Sequence, residues 1–541
     1  MRIRFIPLVL LSVAWVASPS LKAGPRDVEW AKVKEAEAQR LPESALALIE
    51  PIIVAAQAEG AYPEAIRAIV KKIELERRGE DGNRPREKMI QRLRVETEKA
   101  PPEMKPVLTV LIAHLYWRYF QENRWSLSQR TPTTTDNQDL LTWDLLRILK
   151  EIDLHFTAAL SNESSLQATP IELYSEIIEP GDAPSTYRPT LYDFLAYEAL
   201  SFYQVGEHGA MIAEENFVVD ASSPIFESAT DFVAWKPTPP NSGYVPVLRA
   251  ITLYQRLLAF HSRDKDRSAS YDADLARLVY ARNVATGEDK EARFKTALER
   301  FIQQTSHHEI SSRARALLAR QLKNEGELLE ARALAQKART AFPESAGATD
   351  CAHLILEIEA KSAAVETEHV WTDPWPTIDV TYRNTSRVYF RAVRTDYVTH
   401  LKNNRPYDEQ SRAKILAEKP KLSWSSSLTP TTDFKERTEK LPVPKTLEPG
   451  FYYLVASFSS SFSKNDNQLS ITPFWVSKLA MVTETISDER PNRGWVLDSN
   501  SGNPISGATV RFFQRSRSSP SAQDTTYVPA GTTTTSETGL F

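Results

Sequence analysis

A chain of 541 residues has room for roughly three to four domains of ordinary size, and 41% apolar with 25% charged residues is the composition of a packed globular protein. With 66 basic against 70 acidic residues the formal charge is -4, which leaves no global field to gather a polyanion or an anionic membrane surface. The single cysteine, Cys351, excludes an internal disulfide framework and a multi-cysteine zinc site, so stability has to come from packing.

Residues 1–23 have the parts of an export signal: Arg2 and Arg4, an apolar run from Phe5 to Ala17, and the small residue Ala23 ahead of Gly24. The run is shorter than the ~20 residues a bilayer span needs, and no later run approaches that length, so the expected location is exported: periplasmic, cell-surface or extracellular. Only 17 glycines occur, which fits a chain dominated by helices.

From Val28 to about Lys361 the pattern is one of successive amphipathic helices. Leu141, Leu145, Ile148, Ile152 and Phe156 form one apolar stripe. Thr190 and Asp193 have capping-box spacing ahead of Leu191, Leu195 and Ala199, with Pro189 marking the entry. The clearest helical hairpin runs from Ser311 to Ser345, with Gly326 at its turn, Ala331 and Ala338 where paired helices approach, and Pro343 as a stop. It resembles a tetratricopeptide-type hairpin. Leu41-Pro42 and Ala61-Tyr62-Pro63 read as weaker entries to similar hairpins. Stacked, such hairpins predict an α-solenoid with Asp220 to Tyr244 as an irregular, proline-rich insertion.

Near Glu366 the period changes. Asp379–Arg383 and Val388–Arg394 are β-branched and aromatic and flank the turn Asn384-Thr385-Ser386. Pro449-Gly450 leads into Phe451–Phe458, and Phe474-Trp475-Val476 closes a β-sandwich of about 100 residues. A second begins at Leu479 with a strand from Met481 to Thr485. It runs into Gly494-Trp495-Val496-Leu497-Asp498 and then Gly502, Pro504, Gly507, Ala508 and Val510–Phe513, as a hairpin or a sheet crossover. The Thr/Ser/Pro-rich run to Ser536 reads as a mobile loop, cleavable from Ser516 onward. The expected domains are 1–23 signal, 24–362 α-helical solenoid, 363–477 first β-sandwich and 478–541 a second, incomplete β-sandwich, the whole read as a fragment.

No residues qualify as catalytic, cofactor-binding or metal-binding. His307-His308-Glu309 is the densest ligand-like cluster, but adjacent histidines point about 100° apart on a helix, unlike the i, i+4 spacing that chelates zinc. Asp153 and His155 read as a solvated helix face, and Cys351 as a small buried hydrophobe. Asn162-Glu163-Ser164 and Asn384-Thr385-Ser386 match the glycosylation acceptor. Trp371 and Trp375, around Asp373-Pro374, are expected to staple the last helix to the first sandwich, and Arg383, Arg391 and Arg394 to pair with acidic cross-strand neighbours.

Three groups of residues carry a resemblance. They are Trp30…Leu41-Pro42-x-Ser44-Ala45 near the N-terminus, Arg188-Pro189-Thr190-x-Tyr192-Asp193-Phe194-Leu195 mid-chain, and Cys351…Glu357-Ile358…Glu368…Tyr382-Arg383-Asn384…Phe390-Arg391 at the α-to-β junction. Together they resemble large bacterial alpha-2-macroglobulin-like proteins. The Gly494–Val510 pattern alone resembles either that family or a carboxypeptidase-regulatory-like domain. The resemblance implies a secreted endopeptidase inhibitor that entraps proteases, with this stretch as scaffold: a helical region followed by macroglobulin-type antiparallel β-sandwiches. It implies proteases as partners of the full-length protein, no nucleic acid, no cofactor and no enzymatic activity, and it assigns no oligomeric state. The family's thioester motif, Cys-x-Glu-Gln, does not occur, since Cys351 is followed by Ala352-His353-Leu354. The alternative is a non-inhibitory cell-surface binding or scaffold module with a carboxypeptidase-regulatory-like sandwich.

Overall fold

A computed structural model describes residues 2–3, 26–78, 85–130, 139–179, 184–205, 217–238, 245–402, 409–465, 467–484, 493–517 and 525–541. Most of the expected signal therefore lies outside the described residues. The fold is helical first and β-rich afterwards, and it divides into two compact units, Met1–Leu318 with Ala338–Asp350 and Ala319–Lys337 with Cys351–Phe541.

In the first unit, α1 (Asp27–Ala38), α2 (Pro42–Ala58), α3 (Tyr62–Arg78), α4 (Pro85–Lys99) and α5 (Lys105–Ser128) pack on one another in chain order. The first two connections use the same device. Arg40 and Gly60 take left-handed φ angles of 58° and 72°, which lets Leu41 N–H reach the Ala36 carbonyl at 2.9 Å and Ala61 N–H the Ala56 carbonyl at 2.8 Å. These are the long bonds of Schellman turns, which satisfy helix-end carbonyls while reversing the chain. Pro42 can follow at once because the opening positions of a helix need no amide donor.

The expected stripe on α6 (Leu145–Ala159) is buried at Ile148, Ile152 and Phe156, but Leu141 is 43% exposed. The helix starts later than the periodicity implies because the Asp144 side chain accepts the Arg147 N–H at 2.8 Å and caps it. After α7 (Glu163–Ala168), α8 (Leu191–Tyr203) opens on the expected capping box between Thr190 and Asp193. Beyond it come α9 (Ala229–Ala234), α10 (Pro246–Phe260), α11 (Ser268–Val284) and α12 (Lys290–Gln304). The segment expected to be an irregular insertion is anchored between residues 225 and 235, where Gln255 also donates to the Phe232 and Trp235 carbonyls. Arg277, 1% exposed, donates to the Ile225 and Glu227 carbonyls at 2.6 and 3.0 Å and lies over the Phe232 ring. Residues 239–244 lie outside the described residues. Strand pairing among the described residues of this unit is limited to two short pairs, Arg2–Ile3 with Ile178–Glu179 and Val219–Asp220 with Ala285–Thr286, and one isolated bridge between Pro170 and Thr190.

Helices α13 (Ile310–Asn324), α14 (Leu328–Ala341) and α15 (Ala346–Glu359) each cross the division between the units. Gly326, with φ of 84°, stands between α13 and α14 and repeats the Schellman geometry through Glu327 N–H to the Leu322 carbonyl at 2.9 Å. Ala331 and Ala338 are fully buried.

The second unit contains β1 (Ser362–Thr367), β2 (Val370–Trp371), β3 (Thr377–Arg383), β4 (Arg387–Thr395), β5 (Leu422–Ser427), β6 (Arg437–Pro442), β7 (Gly450–Ser457) and β8 (Leu469–Val476). They form a three-stranded sheet in the order β6-β3-β1 and a five-stranded sheet in the order β2-β8-β7-β4-β5, antiparallel throughout except for β2 beside β8. Alternation decides which side chains go in: Ile378, Val380 and Tyr382 of β3 meet Val388, Phe390 and Ala392 of β4 and Tyr452, Leu454 and Ala456 of β7 in one buried cluster. The turn at Asn384 is therefore a crossover between sheets, because β3 and β4 pair with different neighbours. Sequence alternation does not announce α16 (Tyr397–Lys402) and α17 (Glu409–Ala417), inserted between β4 and β5. Ile415 of α17 joins a second cluster with Val393, Phe451, Tyr453 and Val455, on the opposite face of the five-stranded sheet.

The last segment contains β9 (Leu479–Glu484) paired with β10 (Arg493–Asp498) and β11 (Thr509–Arg517) paired with β12 (Thr525–Thr534). The Gly494–Phe513 pattern realises both alternatives: β10 turns back at Asp498 so that Leu497 bridges Pro504 antiparallel, and β10 and β11 belong to different pairs. Asp498 makes its turn by accepting from the backbone N–H groups of Asn500 and Ser501 at 3.1 and 2.9 Å. Within the expected loop before Ser536, Thr525–Thr534 is strand β12, a threonine-rich run that β-branching suits to an extended chain; residues 518–524 lie outside the described residues.

Candidate functional site

The junction residues that carried the resemblance converge in space. The last carbonyls of a helix have no intrahelical donors, and at the end of α15 the turn after β3 supplies them. Asn384, held at φ of 58°, donates from Nδ2 to the Ile358 carbonyl at 2.7 Å and the Ala360 carbonyl at 3.0 Å. Arg383 donates from Nη2 to Glu357 O at 3.2 Å and from Nε to Ala360 O at 3.3 Å. Its cation thereby sits at the negative end of the helix dipole. Thr431 Oγ1 accepts the Asn384 N–H at 2.8 Å, and the fully buried Tyr382 donates its hydroxyl to the Thr429 carbonyl at 2.8 Å and is bonded to Glu439. The three consecutive residues Tyr382, Arg383 and Asn384 thus bind the β6 side, the helix end and both together.

Of the three arginines expected to meet carboxylates, Arg394 does so, at 3.3 Å from Glu448. Arg383 caps the helix instead, and Arg391 lies over the Phe462 ring at 3.9 Å. The crossover explains the difference, since β3 and β4 do not face each other in one ladder. Trp371 has a different role from the expected staple. It is fully buried between the sheets, stacked on Phe474 at 3.9 Å, with Nε1 donating to Thr367 Oγ1 at 3.0 Å, and its cluster contains no helical residue.

Sequence reading passed over one signal here, Leu447-x-Pro449-Gly450-x-Tyr452. Tyr452, 1% exposed at the start of β7, donates its hydroxyl to the Glu448 carbonyl at 2.9 Å, four residues upstream. This is the tyrosine corner of immunoglobulin-like and fibronectin-like folds.

The mid-chain motif of the first unit builds a buried polar network. Asp193 Oδ1 lies 2.7 Å from His261 Nε2, and Asp264 Oδ2 lies 2.6 Å from His261 Nδ1. Burial alone would lower the His261 pKa, but hydrogen bonds and charge from Asp193 and then Asp264 outweigh it and leave it raised. Arg188 stacks over Tyr197 at 3.6 Å. The Tyr197 hydroxyl donates to Asp272 at 2.9 Å, and Arg313 donates to the same carboxylate at 3.1 Å. Asp153, expected on a solvated face, is 7% exposed and accepts from Tyr203 at 2.8 Å and Arg249 at 2.9 Å. Its partner in that expectation, His155, stacks on Tyr116.

His307 and His308 are separated in role. His308 Nδ1 accepts the Ile310 N–H at 3.2 Å, so the neutral ring carries its proton on Nε2 and donates it to Ser268 Oγ at 3.0 Å. Ser268 passes its own proton to Asp266 at 2.6 Å. The proton order runs away from the serine, opposite to what a nucleophile needs, and burial lowers the His308 pKa. The arrangement secures the start of α11. His307 packs its ring edge-on to Tyr271. Cys351 is fully buried in α15, and Glu163 of the first glycosylation-like triplet pairs with Arg256 at 2.9 Å.

Among the described residues no helix is long and apolar enough to cross a membrane, and no group of three or more histidine, cysteine and acidic side chains is placed to hold a metal ion. No family model matches the sequence, and no curated protein matches it. The structure is similar to two crystal structures of native alpha-2-macroglobulin from Escherichia coli. One, spanning domains NIE-MG1, is 12% identical with a TM-score of 0.26, over 34% of this chain and 86% of that one. The other, spanning MG0-NIE-MG1, is 11% identical with a TM-score of 0.26, over 34% of this chain and 56% of that one.

Proposed function

We propose that this chain is the scaffold portion of an exported alpha-2-macroglobulin-like protein that inhibits endopeptidases by entrapment. In this reading residues 24–362 are a tetratricopeptide-like solenoid, 363–477 a macroglobulin-type β-sandwich and 478–541 the start of a second, with 1–23 a signal peptide. The observation that carries it is the convergence of the resemblance-bearing junction residues: Ile358, Tyr382, Arg383 and Asn384 meet in one clamp between a helix end and a sheet. Sheet order and the Tyr452 corner support an immunoglobulin-like architecture for the first sandwich.

Such a part works by position. The helix dipole, the Arg383 cation and the Asn384 amide fix the angle at which the chain leaves α15, so that whatever follows the sandwich starts from a defined direction. Entrapment needs a cleavable segment inside a cage that closes around the protease, and in this reading the chain supplies the scaffold and neither of these. The chain by itself is therefore expected to leave a protease fully active. In the test, the purified chain is mixed with a broad-spectrum protease and cleavage of a large protein substrate is followed. Unchanged cleavage is expected; stoichiometric protection by this chain alone would overturn its assignment as scaffold.

A further inference from the structure

We propose that the outward face of α6 and the adjoining side chain of Arg249 on α10 form a docking cleft for an acidic peptide segment, laid extended along α6 with carboxylates at Arg147 and Lys150 and an apolar side chain on Leu154. Neither the scaffold role nor entrapment requires this cleft, so the proposal is independent of that reading. The helix carries two opposed stripes. Ile148, Ile152 and Phe156 are buried, whereas Arg147, Lys150, Leu154 and Thr157, spaced by three, four and three residues, share the outward face and are all exposed. At the rise of an α-helix that line runs for ~15 Å, the reach of about four or five residues of extended chain.

With Arg249 these side chains line a cleft of about 290 Å³. Two carboxylates, Asp153 and Glu151, line it as well, and both are buried and already committed. Asp153 accepts the Tyr203 hydroxyl on Oδ1 at 2.8 Å and Arg249 Nη2 on Oδ2 at 2.9 Å. Glu151 Oε1 accepts Arg94 Nη2, which reaches it from α4 at 2.5 Å. Arg249 thus answers one carboxylate and Arg94, from outside the cleft, the other. The remaining balance around the cleft is positive, on a chain whose formal net charge is -4. Lys150, midway along the line, has no ion pair among the described residues.

Charge and shape together select the occupant. Carboxylates complement Arg147 and Lys150, and a basic segment would meet three like charges. Asp153 braces Arg249 through one nitrogen, so the planar guanidinium is held in place with its other N–H groups left to donate. A free anion would use these donors and nothing else. Leu154, 58% exposed between Lys150 and Thr157, gains only from a ligand that also covers it with apolar surface. The cleft is smaller than the space a drug-sized ligand fills, which suits a few side chains of a peptide. Contacts of exposed charges are individually weak, so the association is modest and falls with ionic strength.

The probe is a blocked pentapeptide, acetyl-Glu-Glu-Gly-Leu-Gly-amide, titrated into the purified chain by calorimetry at low ionic strength. Saturable binding at sub-millimolar peptide is expected. Lys150→Glu should weaken it about tenfold, since one attraction is lost and a repulsion gained, and Leu154→Ser about fivefold through lost apolar contact. Both positions are exposed, so helix content by circular dichroism should not change. Lys32→Glu, on an exposed position of α1, makes the same change of net charge elsewhere and should leave affinity within about twofold. Absence of saturable binding would overturn the proposal, as would affinity unchanged by Lys150→Glu or weakened equally by Lys32→Glu. Inorganic phosphate that displaces the peptide at equal concentration, or affinity indifferent to Leu154→Ser, would reduce the cleft to a small-anion site and overturn it too.

Discussion

Trp371→Ala probes the pairing of the two sheets most severely. The side chain is fully buried, stacks on Phe474 at 3.9 Å and donates to Thr367 at 3.0 Å. Truncating a buried aromatic residue to alanine costs about 3–5 kcal/mol, because the transfer energy is lost and the surrounding side chains relax only partly into the cavity. That figure already includes ~1 kcal/mol each for the stacked pair and the hydrogen bond. Because the chain has more than one compact unit, a single unfolding midpoint would mix transitions. Native-state hydrogen exchange, read peptide by peptide, separates them. At about 4 kcal/mol, amides of β7 and β8 should exchange roughly 1,000-fold faster, while amides of α2 and α3 keep their wild-type rates. Acceleration below about tenfold in β7 and β8, or equal acceleration in the helices, would refute the assignment of Trp371 to the inter-sheet core.

Three further outcomes follow from the geometry. Because the His261 pKa in the folded chain lies above its ordinary 6.5, its contribution is complete below that pH and is lost as pH rises through the folded value. Urea stability of the helical unit should therefore fall with rising pH above about 6.5, and His261→Gln should flatten that slope; an unchanged slope in the variant would remove His261 as its source. Asn384→Gly keeps the left-handed φ but deletes the Nδ2 bonds to Ile358 and Ala360, so exchange at the end of α15 should quicken by about 1–2 kcal/mol, and Asn384→Ala should cost more because it also strains φ. Gly494→Ala would place a Cβ 2.5 Å from the Val482 carbonyl and 2.7 Å from Phe541 Cζ, and should loosen β9 against β10 by about 1–3 kcal/mol, seen as faster proteolysis after residue 478.

Local patterns with one dominant cause were legible in the sequence. Alternation at Ile378, Val380 and Tyr382 announced strands, Thr190 and Asp193 announced a cap, and the change of period announced a β-rich region after a helical one. What pattern cannot carry is the choice of partner. The same turn at Asn384 serves a hairpin or a crossover, and only packing decides that β3 and β4 enter different sheets. Asp153 has the spacing of an exposed residue on α6, yet Tyr203 and Arg249, distant in sequence, make its burial favourable. Arg383 and Asn384 stand out in the sequence as part of the junction motif, but their task, capping a helix more than twenty residues upstream, is a tertiary fact. The Tyr452 corner is different: its Leu-x-Pro-Gly-x-Tyr signal was present and could have been read.

The most direct test of the inhibitor reading uses the native gene product, captured from its source with an antibody raised against this chain. After mixing with protease, cleavage of a large protein substrate is compared with cleavage of a short peptide. An entrapped protease keeps its active site but is screened from large substrates, so the account predicts that protein cleavage falls while peptide cleavage persists. Equal rates on both substrates, with and without the captured protein, would contradict it.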